Sequence, residues 1–591
     1  MVVISPGGSL GIAPRFRRRA DQLWLFVWLL LLLIGVRLAW LQLLHGGENR
    51  MLADSNRTQV HDQPPQRGRL LDRRGEVLAT SRVAYQLVLY PHRLKPHSWP
   101  AVRNQLAELL HRPPAQLEQQ RLAALSNDPQ RLPLLESLNE AEVLKLEENG
   151  DQFTGVAVEP VSERFYPHGR LGAHVLGYTG PISEAEMQRQ RDRHYRLQDR
   201  VGRSGIEAAL EPRLRGRWGE ERQEVNAQGQ VSRDLADLPA AAGSDVTLTI
   251  DLKVQAAAEA ALDGVSRGAV VAMDPRTGAI LALASRPSFD PNLFSAGMST
   301  DQWNSLNSPQ APLLNRALTA FPPASTFKVV TGLAAMQSGK FNNQQNLSTN
   351  SSFCLGGRCF KDHVGKGSLD FGRALAVSSN SFFYRLGLIA GPESIADTAQ
   401  RLGLGRSTGI ELAAEESKGL VPGPGWKRRN YSQDWFDGDT VNTSVGQGSV
   451  LATPLQMARL YAAVGNGGQL VTPHLLQDSP ALQQRRDLSL KPEALSLLRR
   501  SLRQVVTNGT GTALGGLPSV AGKTGTAEDP PRADHTWFVG FSPMDRPEIV
   551  VAAFAENSGG FGGTVAGPMA RRVFAAYYAA SNSEGTAVSL R

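Results

Sequence analysis

The chain has 591 residues, more than one hydrophobic core accommodates, and its 41% hydrophobic and 20% charged residues leave little room for a long disordered region. The formal net charge of +8 does not indicate a nucleic-acid-binding protein, because the arginines are spread along the chain and no basic cluster alternates with aromatic residues. We interpret the charge as a source of solubility and of attraction to an anionic surface or polymer.

A basic tail and an apolar segment open the chain. Residues 1–22 include the sequence RFRRR, and the apolar segment at 23–44 is interrupted only by Arg37 and Gln42. A membrane-spanning helix needs about 20 apolar residues, so this segment predicts a transmembrane anchor in which Arg37 snorkels toward one interface. The positive-inside rule predicts a cytoplasmic N-terminus, with all later residues outside. The alternative is a cleaved signal peptide, which the bulky residues at 41–44 disfavour.

A membrane-proximal region of mixed secondary structure follows at 45–243. Short apolar and polar runs at 67–91 alternate around a central Arg-Gly pair, which predicts a β-hairpin. Ser137 and Glu140 have the spacing of a capping box and predict the start of a helix. Residues 183–199 carry charge on all sides, which predicts a solvated helix.

The remaining residues, 244–591, are predicted to form one further domain, with its boundary near residue 243. Strands at both ends of this region and helices between them predict a sheet covered by helices, an α/β (α+β) fold. The predicted elements are a strand and a helix at 243–262, a hairpin at 268–287, a strand pair at 535–543 and 548–557, and a closing helix at 565–580.

Cys354 and Cys359 are the two cysteines of the chain. Because an exported domain favours oxidised cysteines, a small-loop disulfide is the leading prediction, with free thiols as a second possibility. Asp362 and His363 follow closely, so a zinc site is the sharper alternative. The spacing is unlike common zinc motifs, and we therefore predict no metal.

The stretch FPPASTFK places Ser325 and Lys328 three residues apart at the start of a predicted helix that ends at Ser338. A serine at this position is usually an N-cap. A cation in the first turn opposes the helix dipole, however, and a capping box would have Glu or Gln in its place. Three-residue spacing on a helix brings two side chains within hydrogen-bond reach, so Ser325 and Lys328 are candidates for a nucleophile and its base.

Two further motifs supply partners for this pair. Lys523 begins the sequence Lys-Thr-Gly, and a nearby cation or burial would make Lys328 neutral. We expect the proton-accepting form of Lys328 to depend on Lys523. Gly525 has no side chain and would let a substrate backbone approach closely. Ser378 and Asn380 form an S-x-N sequence, which carries little information by itself.

The order of these motifs resembles the three-motif signature of the penicillin-recognising serine transferases, and the chain is similar to class B penicillin-binding proteins over nearly its whole length. Ala324 stands where glycine is common in that family. The similarity also rests on the segments TSVGQGSVLATPLQMARLYAAVGNGG, MDPRTGAILALASRPSFDPN, RGRLLDRRGEVLA, RFYPHGRLGAHVLGYTG and GRSGIEAALEPRLRG. The segment HVLGYTGPIS and the two-cysteine insert resemble the elongation-specific branch of the class more than the division-specific branch.

The resemblance implies a fold and a domain order. It implies a penicillin-recognising serine transpeptidase domain at 244–591, with a central antiparallel sheet covered by helices. An elongated mixed α/β pedestal domain of the dimerisation type would precede it at 45–243, behind a single transmembrane helix at 23–44 and a cytoplasmic tail at 1–22. The catalytic domain would then lie in the periplasm, anchored to the inner (plasma) membrane.

The resemblance also implies an acyl-transfer mechanism without a cofactor. Ser325 would attack the penultimate D-alanine carbonyl of a stem peptide, and Lys328 would take its proton. Ser378 would relay protons between Lys328 and Lys523, and the remaining implied roles concern substrate binding. They are amide binding by Asn380, carboxylate binding by Lys523 and Thr524, and an oxyanion hole formed by the backbone N–H groups of Ser325 and Thr526.

The implied activity is peptidoglycan D,D-transpeptidation in cell-wall elongation and cell-shape maintenance. The implied partners are stem peptides on lipid-linked glycan strands, β-lactam antibiotics, the cell membrane and a polymerase of the shape, elongation, sporulation and division (SEDS) family, with no nucleic acid. The alternatives are a D,D-carboxypeptidase and a non-catalytic β-lactam-binding sensor or scaffold. The chain contains no H-E-x-x-H or G-x-S-x-G sequence, which disfavours a zinc hydrolase and a Ser-His-Asp hydrolase.

Overall fold

A computed structural model describes residues 14–45, 47, 58–95, 97–125, 131–196, 199–225 and 231–588. The first thirteen residues of the predicted basic tail lie outside the described residues. The strands are β1 Thr58–Gln63, β2 Leu70–Leu71, β3 Val77–Leu89, β4 Leu132–Leu138, β5 Val156–Phe165, β6 Thr179–Pro181, β7 Arg200–Gly202, β8 Gly219–Val225, β9 Val231–Leu238, β10 Val246–Thr247, β11 Gly268–Met273, β12 Ile280–Arg286, β13 Leu347–Thr349, β14 Ser352–Leu355, β15 Arg358–Lys361, β16 Gly367–Leu369, β17 Gln469–Val471, β18 Arg485–Asp487, β19 Ala521–Asp529, β20 Arg532–Ser542 and β21 Ile549–Ala555.

The α-helices are distributed along the whole described chain. They are α1 Pro14–Ala39, α2 Trp99–Leu109, α3 Pro114–Leu125, α4 Glu140–Glu148, α5 Ala173–Leu176, α6 Glu184–Arg189, α7 Gly205–Ala209, α8 Glu211–Leu214, α9 Leu252–Ala261, α10 Asn292–Ala296, α11 Thr300–Leu306, α12 Lys328–Ser338, α13 Phe371–Ala376, α14 Asn380–Ala390, α15 Pro392–Arg401, α16 Pro424–Tyr431, α17 Asp437–Ser444, α18 Pro454–Gly465, α19 Pro492–Asn508 and α20 Ala566–Val588.

The N-terminal apolar segment is helical. Helix α1 runs into a π-helical turn at Trp40–Leu44, and the span Asp21–Leu43 has a mean hydropathy of 2.2. Its length and composition suffice to cross a membrane, and its apolar side chains are exposed. The described residues within 14–65 and 217–241 form one compact unit, in which β1, β8 and β9 pair as an antiparallel sheet in the order β1-β8-β9.

The described residues within 66–216 and 242–588 form a second compact unit. Its first sheet has the order β10-β2-β3-β4, with β5 also paired to β3. The predicted hairpin at 67–91 is confirmed, because β2 and β3 are antiparallel and Gly75 takes a positive φ of 90° in the turn. The domain boundary near residue 243 stays a prediction.

Two helix predictions in the membrane-proximal region need correction. Ser137 lies within strand β4, and the capping box of α4 is formed by Asn139 and Glu142 two residues later. The helix predicted at 183–199 ends at Arg189, after which the chain forms a short 3-10 turn. Helix α6 has no buried residue, which agrees with the predicted solvated surface.

A buried ion-pair network joins three segments of the membrane-proximal part of this unit. Arg67 binds Glu207 and Glu211, with both nitrogen–oxygen distances at 2.6 Å. Arg164 binds the other Glu207 oxygen at 2.6 Å and donates to the Gly68 carbonyl at 2.8 Å. Buried charges require partners, and each charged residue of this network finds its partner in a segment distant in sequence.

The central sheet of the second unit is antiparallel, with the strand order β12-β11-β21-β20-β19. Side chains of β11 alternate between two cores: Ala269, Val271 and Met273 face one, and Val270 and Ala272 face the other. Helices α9 and α20 pack on the second face, whereas α18 packs on the first. The predicted sheet covered by helices, the hairpin and the strand pair are therefore confirmed.

Candidate active site

The segment that carries Ser325 is a 3-10 turn, Ala324–Phe327, that runs directly into α12. Helix α12 ends at Ser338, as the sequence predicts, and the left-handed φ of 73° at Gly339 terminates it. The side chain of Ser325 makes no capping hydrogen bond, so its interpretation as an N-cap is wrong. Its hydroxyl is half-buried and has no hydrogen-bond partner among the residues that the structure describes.

Neighbouring elements hold this turn in place. Trp537 Nε1 on β20 donates to the Pro322 carbonyl at 3.0 Å, and the Ala324 N–H donates to the Gly446 carbonyl at 2.9 Å. Ala324 takes a φ of 49°, a left-handed conformation that disfavours residues other than glycine. The surrounding contacts therefore impose backbone strain one residue before Ser325.

Lys328 and Lys523 converge on Ser378. Lys328 Nζ donates to Ser378 O at 2.8 Å and to Asn380 Oδ1 at 2.7 Å, and lies 3.3 Å from Ser378 Oγ. Lys523 Nζ lies 2.9 Å from the same hydroxyl and 2.9 Å from Thr524 O. Both lysines are fully buried, and neither forms a salt bridge with a carboxylate in the described part of the chain.

Burial explains the electrostatics of the two lysines. It lowers the pKa of Lys328 from 10.5 to about 7, and the negative charge of Asp362 opposes that shift. Burial also lowers the pKa of Lys523 well below its usual value, and the neighbouring Lys328 lowers it further. We expected the neutral form of Lys328 to depend on Lys523. That expectation is wrong, because burial is the main cause of the lowered pKa of Lys328.

The S-x-N segment connects α13 to α14. Ser378 has a φ of 58°, which turns the chain so that both its carbonyl and its hydroxyl face the lysines. Ser379 accepts from the Phe382 N–H at 3.3 Å and caps α14. Asn380 is the first residue of that helix, and its position supplies the amide oxygen that binds Lys328.

Asp362 holds this segment from the opposite side and was not predicted to do so. One of its oxygens accepts from Ser379 Oγ and from the Ser381 N–H, both at 2.7 Å. Burial would raise the pKa of Asp362, but the hydrogen bonds from Ser381 and Ser379 hold it below its usual value. The sequence draws attention to Asp362 only through its position beside the cysteines, where it suggested a zinc ligand.

The cysteines form the predicted disulfide between β14 and β15. Because both sulfurs are consumed in this bond, the zinc alternative loses its two thiolate ligands. His363 Nε2 lies 2.7 Å from the Val377 carbonyl and joins the hairpin to the S-x-N segment. Asp362 and His363, which contact the residues on either side of Ser378, directly follow this disulfide-linked hairpin.

The Lys-Thr-Gly sequence lies on the edge strand β19, beside the 3-10 turn. Thr524 Oγ1 is 2.6 Å from Thr510 Oγ1, a contact that the sequence does not suggest. A Cβ on Gly525 would lie 3.1 Å from the Pro323 carbonyl, so glycine permits close packing of strand and turn. Thr526 Oγ1 accepts from the Gly562 N–H at 3.3 Å.

Five of the predicted site residues are thus joined by hydrogen bonds: Lys328, Ser378, Asn380, Lys523 and Thr524. Ser325 is placed at the start of the helix that carries Lys328 but is not hydrogen-bonded to it. A neutral lysine whose two N–H groups point at Ser378 O and Asn380 Oδ1 keeps a free lone pair, as a proton acceptor requires. The arrangement can support general-base activation of a hydroxyl.

Two families of known proteins match this chain in sequence, one in each half. The family described as "Penicillin binding protein transpeptidase domain" matches residues 268–575, and the "Penicillin-binding Protein dimerisation domain" matches 62–248. A relative from Acinetobacter baumannii, "Peptidoglycan D,D-transpeptidase MrdA", is 33% identical over 92% of this chain and 85% of its own. The protein of that name from Escherichia coli K12 is 32% identical over 94% of this chain and 93% of its own.

Solved structures agree with the sequence relatives. Penicillin-binding protein 2 (PBP2) of Helicobacter pylori, determined in complex with MreC, superposes with a TM-score of 0.79 at 27% identity, covering 88% of this chain and 98% of that one. A chain of a peptidoglycan synthase complex superposes with a TM-score of 0.71 at 33% identity, covering 95% and 98%. The protein therefore belongs to the penicillin-binding protein 2 family of class B penicillin-binding proteins, the peptidoglycan D,D-transpeptidases of cell elongation.

Proposed function

We propose that Ser325 is the acylated nucleophile of this transpeptidase and that Lys328 is its base. The observation that carries the proposal is the convergence of two fully buried lysines on Ser378 Oγ, at 3.3 Å and 2.9 Å, next to the strained turn that presents Ser325. A lysine with a pKa of about 7 is about half in its neutral, proton-accepting form at pH 7.

In the acylation step, Ser325 Oγ forms a bond to the carbonyl carbon of the penultimate D-alanine while its proton passes to Lys328 Nζ. The backbone N–H groups of Ser325 and Thr526 stabilise the resulting oxyanion, and each such donor is worth about 3 to 4 kcal/mol in other enzymes. The amide C–N bond then breaks. Ser378 passes a proton from the lysine pair to the leaving nitrogen, which departs as D-alanine.

In the second step, an amine of a neighbouring stem peptide attacks the acyl-enzyme ester. Lys328 accepts the proton of that amine, the ester C–O bond breaks, and Ser325 recovers its hydrogen as the cross-link forms. A β-lactam acylates Ser325 by the same first step. Hydrolysis by water would make the enzyme a carboxypeptidase, and the two outcomes differ only in the acceptor.

Substrate binding is assigned to the groups around this centre. Asn380 holds a substrate amide, and Thr524 with Lys523 binds the terminal carboxylate, because Asn380 and Thr524 are polar side chains in contact with the two lysines beside Ser378. Gly525 lets β19 lie close to the turn that presents Ser325, and an extended substrate would bind along this strand. The mechanism requires neither a metal nor an organic cofactor.

The proposed setting is the inner (plasma) membrane. Helix α1 would cross it once, with the basic tail in the cytoplasm and the catalytic domain in the periplasm, in agreement with the positive-inside rule. Partners of two kinds are proposed: a SEDS-type polymerase that supplies glycan strands, and a protein like the MreC that binds PBP2 of Helicobacter pylori. The similarity to a chain of a peptidoglycan synthase complex supports the first of these.

The nucleophile is tested by labelling the full-length protein with a fluorescent penicillin. Ser325→Ala is expected to abolish labelling, whereas Ser338→Ala, an exposed serine on the same helix, is expected to label like the parent. Labelling of Ser325→Ala at the parental rate would remove Ser325 from its proposed role. A matching test is Lys523→Ala, for which we expect slower acylation with the fold intact. Normal acylation with an unchanged melting curve would remove Lys523 from the site.

The acceptor is tested by product analysis with a lipid-linked glycan polymer and an amine acceptor. Cross-linked dimers are expected. Free tetrapeptide without dimers would favour the carboxypeptidase.

A further inference from the structure

A second polar cavity lies in the second compact unit, separate from the lysine cluster. Its volume is about 290 Å³, the low end of the range for small-molecule sites. Its walls come from the loop after α15, from α18 and from the strand pair β17 and β18. The lining residues are Arg406, Ser407, Arg459, Leu470, Thr472, Gln484, Arg485 and Arg486.

Arg459 forms the buried part of this lining. Only 8% of its surface is exposed, and its Nε donates to the Val471 carbonyl at 2.7 Å. The two Nη groups, which carry the remaining four N–H donors, have no acceptor among the described residues. The Nη groups are not among the buried atoms that lack a partner, and Arg459 lines the open cavity, where a ligand or water can accept from these donors.

The other three arginines are exposed at the mouth of the cavity. Arg486 donates to the Arg401 carbonyl at 2.6 Å, and none of the four guanidinium groups forms a salt bridge within the described ranges of the chain. Glu416 is a neighbouring carboxylate that acts on Arg459. Both of its oxygens already accept from the Thr408 N–H, at 2.9 Å and 3.0 Å.

The cluster therefore concentrates positive charge without balancing it. Burial, followed by the nearby charge of Arg486, lowers the pKa of Arg459 to about 10, although Glu416 opposes the shift. Four like charges around one cavity repel each other and attract a multivalent anion. This arrangement differs from an ordinary surface, where arginines pair with carboxylates, as Arg69 pairs with Asp245 at 2.7 Å.

We propose that this cavity is a binding site for a phosphate-type oxyanion, either the diphosphate of a lipid-linked glycan or the phosphate of an anionic lipid headgroup. Guanidinium groups bind phosphate oxygens through paired N–H donors, and the hydroxyl of Ser407 adds a donor of a second kind. A single carboxylate has two oxygens and one charge, too few for four guanidinium groups. Occupancy would hold a phosphate-bearing lipid or lipid-linked substrate on the domain that carries the lysine cluster.

The site is tested on the full-length protein in neutral detergent. The protein is titrated with inorganic pyrophosphate at constant ionic strength, and calorimetry measures the heat of binding. Binding by the parent is expected, and Arg406→Ala/Arg486→Ala is expected to weaken it at least tenfold. The control Arg500→Ala/Arg572→Ala removes two exposed charges elsewhere and is expected to bind within twofold of the parent. Penicillin acylation should be unchanged in both double variants.

Three results would overturn the proposal: no binding by the parent, equal binding by the Arg406/Arg486 variant, or binding of citrate as tight as that of pyrophosphate. Nanodiscs distinguish the two sources. If phosphatidylglycerol discs suppress pyrophosphate binding and phosphatidylcholine discs do not, the lipid headgroup occupies the site. If both discs leave pyrophosphate binding intact, the site serves a diphosphate.

Discussion

The ion-pair network of the membrane-proximal region and the lysine cluster of the active site are both buried, but they differ in charge balance. In the network, two arginines meet two glutamates, and Arg164 and Glu207 have 3% and 0% of their side chains exposed. In the lysine cluster, two cations share the hydroxyl of Ser378 with no carboxylate in salt-bridge contact among the described residues.

The pKa directions follow from this difference. Burial alone would raise the pKa of Glu207, but Arg67 and Arg164 hold it below its usual value. Nothing of comparable strength offsets the burial of Lys328, so its pKa falls to about 7. Paired buried charges stay ionised, and removal of one partner leaves the other uncompensated, whereas an unpaired buried lysine becomes a base near neutral pH.

The largest expected effect comes from Lys328→Met. Loss of the base should slow penicillin acylation by about 1000-fold or more. The melting temperature at pH 7 should equal or exceed that of the parent, because a buried group that resists ionisation is replaced by an apolar one of similar length. Acylation kinetics and differential scanning fluorimetry on the same preparation check both parts. A large loss of stability with normal acylation would mean that Lys328 stabilises the fold, as the ion-pair network does, and is not the base.

Glu207→Gln should give the opposite pattern. It leaves Arg67 and Arg164 without their shared partner and should destabilise the protein by about 3 to 5 kcal/mol, with acylation at 25 °C unchanged within about twofold. Asp434→Asn is the matched control, because its ion pair with Arg428 is exposed and should be worth less than about 1 kcal/mol. Thermal melts of the three proteins measure the difference, and equal melts would contradict it.

The pH dependence sharpens the role of Lys328. Acylation should rise with pH and level off above about pH 7, falling about tenfold per unit below it, because only the neutral amine accepts a proton. Between pH 7 and 10.5 the unfolded chain binds a proton that the native lysine does not, so this residue's contribution to stability rises with pH. The melting temperature of Lys328→Met should therefore exceed that of the parent by less and less as the pH rises over that range. An acylation profile that is flat from pH 5 to 8 would exclude Lys328 as the base.

Asp362→Asn should have the smallest effect of the four. Removing the carboxylate that opposes the shift of Lys328 should move the inflection of the acylation profile below pH 7. Weaker support of Ser379 and Ser381 should slow acylation at pH 8 by roughly tenfold or less. Asp434→Asn should leave the profile in place. An inflection that does not move would reduce Asp362 to a purely structural residue.

Local sequence patterns were sufficient for several features of the fold. The length of the apolar segment predicts the helix at Asp21–Leu43, and apolar runs joined by a turn sequence predict the β11–β12 hairpin. The apolar runs at 535–543 and 548–557 likewise predict the β20–β21 pair. Capping was predicted less well, because Asn139 and Ser137 are equally good caps in isolation. In the structure, Ser137 is part of strand β4, and Asn139 is the N-cap of α4.

The sequence by itself determined the chemical groups of the candidate site and their order along the chain, because each motif is short and a serine, lysine or glycine has the same intrinsic chemistry wherever it stands. Only the tertiary structure decided their protonation and support. Lys328 becomes a base through burial, and Asp362 changes from a suggested zinc ligand into the acceptor that holds Ser379. Desolvation and long-range hydrogen bonds depend on which distant segments pack together, and a local pattern does not contain that information.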